Sequence, residues 1–124
     1  PAPVPVDDEL VQQPEPVVKH HVMKDSVRVS LHVRTGNVSE QNIEATIVSS
    51  VIVGRSSVCD IYIDDTKLSR QHFVIENINR ELFISDMESK NGTFLNGSKI
   101  STRRKIVNGD KILAGLSEIT IRIL

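Results

Sequence analysis

From Ser26 onward, apolar residues return at every second position and nowhere at the period of about 3.6 that an amphipathic helix needs. Val27, Val29, Leu31 and Val33 point one way, while Arg28, Ser30, His32 and Arg34 point the other. That pattern is a strand with one face buried. Ile43, Ala45 and Ile47 alternate again, and Val51-Ile52-Val53 follows Ser49-Ser50. Further short strands are expected at 61–63, 73–76, 82–85, 93–95, 99–100, 106–107, 111–113 and 119–123, the last with Ile119, Ile121 and Ile123 inward. Thr35-Gly36-Asn37, Asn79-Arg80, Asn96-Gly97 and Asn108-Gly109 punctuate them. About ten short strands between frequent turns specify an all-β sandwich or barrel.

Within that frame, residues 89–97 read SKNGTFLNG, with Asn-Gly twice. Both residues of the pair accept positive φ, which suits a two-residue hairpin turn. A three-residue strand cannot carry a tight hairpin at both ends. Asn96-Gly97, flanked by Thr93-Phe94-Leu95 and Ser98-Lys99-Ile100, is the hairpin. Asn91-Gly92 then belongs to a loop after the strand at 82–85.

Residues 1–25 differ from the rest. They hold every proline of the chain, and Asp7, Asp8, Glu9, Glu15 and Asp25 outnumber Lys19 and Lys24. This composition reads as an extended acidic linker or tail, disordered on its own. A helical turn at 8–13 would be stopped by Pro14 and Pro16. His20-His21 has no further metal ligand beside it in sequence. The expected organisation is a linker over 1–25 and one domain over 26–124.

The net charge of −1 over 124 residues draws the chain neither to nucleic acid nor to an anionic membrane. A single cysteine, Cys59, forms no intrachain disulfide and no thiolate metal cage, and is read as a small buried hydrophobe. No apolar run reaches the roughly 18–20 residues of a membrane span. No signal peptide is recognisable, and no initiator Met is present, as in a piece of a longer chain. No cofactor or metal is expected.

Three polar clusters fall in loops: Val53-Gly54-Arg55-Ser56-Ser57, Lys67-Leu68-Ser69-Arg70-Gln71-His72 and Glu88-Ser89-Lys90-Asn91-Gly92-Thr93. Loops at one end of a sandwich are neighbours. Together they offer Arg55, Lys67, Arg70 and Lys90, the hydroxyls of Ser56, Ser57, Ser69 and Ser89, and the Asn91 amide. Such donors suit a compact dianion, because a guanidinium forks onto phosphate oxygens and hydroxyls complete the shell. Solvated charges on scattered loops remain the plainer reading from composition alone. Asp60, Asp64 and Asp65 lack the spacing of a cation loop and read as turn caps. Arg103-Arg104-Lys105 reads as a solvated basic loop.

At these residues the sequence resembles a forkhead-associated domain, a phosphothreonine-binding β-sandwich. The resemblance covers roughly 26–124. It rests on Gly54-Arg55, Cys59-Asp60-Ile61 with Asp64, Ser69-Arg70-Gln71-His72, Asp86, Ser89-Lys90-Asn91-Gly92-Thr93, Asn96-Gly97, Asn108-Gly109-Asp110 and Gly115, in that order. It implies eleven strands in two sheets with the site at one end. It further implies that Arg55, Ser69 and Arg70 meet the phosphate and that Asn91 holds the peptide main chain. Gly54, His72 and Gly92 would be structural, with Gly54 freeing the backbone before Arg55 and His72 bracing the loop. Lys67 stands where members can read the third residue after the phosphothreonine. Lys90 departs from the small polar residue of many members, and either adds phosphate attraction or points away.

The function implied is phosphorylation-dependent protein–protein interaction in Ser/Thr kinase signalling, with a Thr-phosphorylated partner. No nucleic acid or direct membrane contact is implied, and the location is cytoplasmic, free or as the cytosolic part of a larger chain. A phosphate-independent scaffold of the same fold is the alternative. Ser69 and His72 as a hydrolase pair lack a nucleophile elbow and an oxyanion hole, so no enzyme is expected.

Overall fold

A computed structural model describes residues 25–124. Among them lie eleven strands and no helix: β1 (Val27–Thr35), β2 (Ser39–Ile47), β3 (Ser50–Gly54), β4 (Ile61–Tyr62), β5 (Phe73–Ile78), β6 (Glu81–Asp86), β7 (Thr93–Leu95), β8 (Ser98–Lys99), β9 (Arg104–Ile106), β10 (Lys111–Ala114) and β11 (Ser117–Ile123). They form two sheets, ordered β9-β6-β5-β3-β4 and β2-β1-β11-β10-β7-β8. Every pairing is antiparallel except β3 with β4, where Val53 faces Ile61. The linker expected at 1–25, its helical turn and His20-His21 fall, Asp25 aside, outside the described residues.

Period two explains the sandwich. The six-stranded sheet sends Val29, Leu31, Val33, Ile112, Ile119 and Ile121 inward, and the five-stranded sheet answers with Val53, Phe73, Ile75, Leu82 and Ile84. These are all buried in one cluster. Shifting any strand by one residue would turn its apolar set to water, so burial sets the register. Ile123, expected inward, is only partly buried at the rim of that cluster.

Two strands differ from the alternation. β2 begins at Ser39, four residues before the apolar pattern, because Ser39–Asn42 pair with His32–Thr35 of β1 at the edge of the sheet, where their own side chains stay exposed. The basic run is not a loop. Arg104 and Lys105 lie in β9, paired with Ile84 and Phe83 of β6. Arg103 stacks over the Phe83 ring at 5.2 Å. Charges on a sheet's edge strand hinder pairing with another chain.

The turns follow their residues. Asn96 and Gly97 both have positive φ, 50° and 89°, and join β7 to β8. Asn79 and Arg80 join β5 to β6 in the same way, at 54° and 71°. Arg80 thus occupies a left-handed position that costs a side chain about 1 kcal/mol. Arg80→Gly is expected to raise stability by about 0.5–1 kcal/mol in urea unfolding, with no change of fold.

Candidate functional site

The five-stranded sheet delivers the loops to one end. β3 ends at Gly54, β5 starts at Phe73, β6 ends at Asp86, and β7 of the facing sheet starts at Thr93. The segments 55–60, 63–72 and 87–92 therefore share that end with the turns at 36–38 and 115–116.

Main-chain bonds join the first two segments. Arg55 N–H donates to the Ser69 carbonyl at 3.0 Å, Ser56 N–H to that of Arg70 at 3.2 Å, and His72 N–H to that of Val53 at 2.9 Å. Gly54 is needed for this approach. A Cβ there would fall 2.1 Å from the Arg70 carbonyl oxygen. Its φ is not among the positive ones, so the requirement is space and not the backbone freedom expected. Cys59 is half-buried, not a core residue, and its thiol donates to the Arg70 carbonyl at 2.9 Å.

His72, fully buried, joins the second segment to the third. Ser69 N–H donates to its Nδ1 at 3.0 Å. Nδ1 is thus the acceptor, and Nε2 carries the proton that it donates to the Gly92 carbonyl at 2.9 Å. Lys90 N–H donates to Ser69 Oγ at 2.9 Å, and the Asn91 amide to the Lys67 carbonyl at 2.9 Å. Gly92, at φ +84°, makes the turn that aims its carbonyl at the ring.

The third segment has its own anchor in Asp86. Its carboxylate accepts the hydroxyls of Ser89 and Thr93 and the Ser89 N–H. Burial raises its pKa, but those hydrogen bonds outweigh burial and hold it below its ordinary value of 3.8. Ser89 Oγ also accepts Gly92 N–H. Its hydroxyl is engaged inside the loop, so it does not join the anion-facing set the sequence suggested.

What remains outward is a set of donors. Arg55 uses Nε on the Leu68 carbonyl at 3.0 Å, which steadies the guanidinium and leaves its two terminal nitrogens. Ser69 Oγ accepts from Lys90, so its own proton is available. Arg55, Lys67, Arg70 and Lys90 have no carboxylate partner among the described residues, as Lys99, Arg104 and Arg122 have none, whereas Arg28, Arg34, Arg103, Lys105 and Lys111 do. Sequence reasoning missed Lys99 of β8. Its chain lies over the third segment, with Nζ 3.6 Å from where a Gly92 Cβ would be. Only the β7–β8 register, which sets Lys99 opposite Phe94, puts it there.

An FHA domain model matches residues 51–115, which include all of these loops. The chain belongs to the FHA domain family. It is 33% identical over 86 residues to the DNA damage response protein kinase DUN1 of Saccharomyces cerevisiae, covering 63% of this chain and 17% of the kinase. To the probable serine/threonine-protein kinase fhkA of Dictyostelium discoideum it is 33% identical over 98 residues, covering 69% of this chain and 16% of the kinase. The chain thus spans about a sixth of each of these relatives. A solved structure from work on phosphothreonine-dependent FHA domain interactions superposes with a TM-score of 0.65 at 27% identity, covering 77% of this chain and 97% of that one. As an FHA domain, the sandwich is a binding module. No helix long and apolar enough to cross a membrane occurs among the described residues.

Two outcomes follow. His72→Ala leaves the partly buried Ser69 N–H and the buried Gly92 carbonyl without partners and opens a cavity, and is expected to cost about 2–4 kcal/mol in urea unfolding. Asp86 has a lowered folded pKa, so its contribution is present above its unfolded value and is lost as pH falls through the folded one. Asp86→Asn is expected to be less stable at neutral pH and to vary less on acidification below about pH 4, followed as unfolding midpoint against pH.

Proposed function

We propose that residues 26–124 form a phosphothreonine-peptide binding module that mediates phosphorylation-dependent protein–protein interaction in Ser/Thr kinase signalling, with 1–25 as its linker. The observation that carries this is the convergence of Arg55, Ser69 and Arg70 on one loop end, with their backbones tied together and their donors left outward. Membership of the FHA domain family, the phosphothreonine dependence studied in a solved relative and the two kinase relatives support it.

In this reading the terminal nitrogens of Arg55 fork onto phosphate oxygens, the Ser69 hydroxyl donates a third bond, and Arg70 adds charge and donors. Asn91 keeps its side-chain oxygen for a peptide N–H, since its nitrogen holds Lys67. Lys67 and Lys90 flank the anion and read neighbouring residues. Gly54, His72 and Gly92 hold the loops. Phosphorylation supplies about −1.5 to −2 charges and strong acceptors, which gives the switch. The partner is a Thr-phosphorylated protein in the cytoplasm, bound without nucleic acid or membrane.

Binding rather than catalysis is favoured by the Ser69–His72 geometry. The imidazole takes the Ser69 backbone N–H, and the hydroxyl accepts from Lys90, so no base faces that hydroxyl.

Calorimetry with degenerate phosphothreonine, phosphoserine and unphosphorylated peptide pools tests the reading. Phosphothreonine-selective, roughly micromolar binding that weakens with salt is expected. Arg55→Ala is expected to weaken it about ten- to hundredfold with the fold intact. Normal binding by that variant would sink the site assignment. On a peptide array, Lys67 is expected to favour an acidic third residue after the phosphothreonine, and an aliphatic preference there would refute its role.

A further inference from the structure

The outer face of the six-stranded sheet is polar along most of its width: Ser30, His32, Arg34, Glu40, Asn42, Glu44, Lys111, Glu118 and Thr120 all lie on it. One corner breaks this pattern. Leu113 of β10 and Leu116 of the next turn are 40% and 54% exposed, and Val38 at the β1–β2 turn is 91% exposed. Phe94 of β7 lies beside Leu113 in the register.

These residues line two adjoining concavities. The first, of about 280 Å³, runs from Asn91 past Phe94 to Leu113 and Leu116. The second, of about 750 Å³, shares Leu113, Leu116 and Glu118 with it and continues past Arg34, Ser39 and Glu40 to Val38, so its apolar groups are set in a polar rim. The groove therefore starts at the residue assigned to the peptide main chain.

The corner is also fixed to the phosphate-facing loops. Asp65, nearly fully buried, accepts Lys67 N–H at 2.9 Å on one oxygen and Leu116 N–H at 2.8 Å and the Ser117 hydroxyl at 2.6 Å on the other. Gly36 N–H donates to the Leu116 carbonyl at 3.0 Å. A Cβ at Gly115 would lie 3.0 Å from the Lys67 carbonyl carbon, so that turn packs flush on the Lys67 loop. Lys67, Asp65, Leu116 and Gly36 form one bonded series from the site to the apolar corner.

We propose that this groove docks the phosphorylated partner's own chain beyond its phosphothreonine, taking apolar side chains at Leu113, Leu116 and Val38. The proposal rests on the phosphothreonine reading above and extends it. Three interstrand steps of about 4.8 Å separate β7 from β1, a span of about 14 Å, which an extended chain covers in four to five residues. Leu113 lies one such step from β7, so the partner residue that reaches the Val38 end of the groove stands about four to six positions from the phosphothreonine, on one side of it.

The test compares seven-residue phosphothreonine peptides with fifteen-residue degenerate ones, on wild type and on a Val38→Asp, Leu116→Asp double variant. Both positions are exposed, so the fold should hold, which a melting curve checks. Wild type is expected to enrich apolar residues four to six positions away and to bind those long peptides about tenfold tighter than the short ones. The variant should bind short peptides as wild type does and lose the gain. Equal gain in both proteins, or none in wild type, overturns the proposal. Concentration-dependent dimerisation of wild type that the variant abolishes would assign the corner to a second copy and overturn it as well. Failure of wild type to bind the short phosphopeptides is separable, because it removes the reading itself and this proposal with it.

Discussion

Gathering Arg55, Lys67, Arg70 and Lys90 at one end of a small sandwich, none of them ion-paired to a carboxylate among the described residues, is electrostatically unfavourable, and the two hydrogen bonds of the buried His72 ring hold the loops together against it. Two unit charges about 4 Å apart in water repel by about 1 kcal/mol. A carboxylate brace would relieve that repulsion but would also weaken attraction for an incoming anion. An imidazole with one nitrogen accepting and the other donating holds Ser69 and Gly92 together without adding charge. Its complete burial keeps water from competing for either bond.

Three acids near the site, Asp60, Asp65 and Asp86, are placed consistently with this, while Asp64 and Glu88 in the same loops are exposed. Asp86 faces into the third segment and is saturated by Ser89 and Thr93. Asp65 is saturated by Lys67, Leu116 and Ser117. Asp60 accepts the Ile52 N–H on the edge of β3 that β4 leaves uncovered. Each of these three carboxylates is engaged by backbone or hydroxyl donors and not by the outward cations. A loop end built this way presents donors to solvent while its own backbone groups are paired. The Asp65 series also explains why Gly115 stands in the turn that abuts Lys67, where a side chain would displace backbone.

Much of this was legible along the chain. Period two and the turns between located most of the strands, with those expected at 99–100 and 106–107 displaced to Ser98–Lys99 and Arg104–Ile106, and the two Asn-Gly pairs separated hairpin from loop correctly. The order of Gly54-Arg55, Ser69-Arg70-Gln71-His72 and Ser89-Lys90-Asn91-Gly92 pointed to the family. The misreadings share one cause. Ser89 and Cys59 were judged from residue type, yet the partner of each, Asp86 and the Arg70 carbonyl, is set by three-dimensional packing. Gly54 looked like a flexible position because the chain that passes 2.1 Å from its missing side chain lies well along in sequence. Ser39–Asn42 and Arg104-Lys105 were missed as strands because pairing without burial leaves no apolar period.

The strand pattern, the turns and the placing of polar residues in loops follow from the order of residues along the chain, since alternation and positive φ are local properties of one segment. The packing of the two sheets sets which of those polar groups face outward as donors and which are engaged as braces. It alone set Lys99 above Gly92 and joined the apolar corner to the Lys67 loop through Asp65. A hydrogen bond needs its partner within about 3 Å, and residues far apart in sequence come that close only once two sheets have chosen their registers by burying their apolar faces.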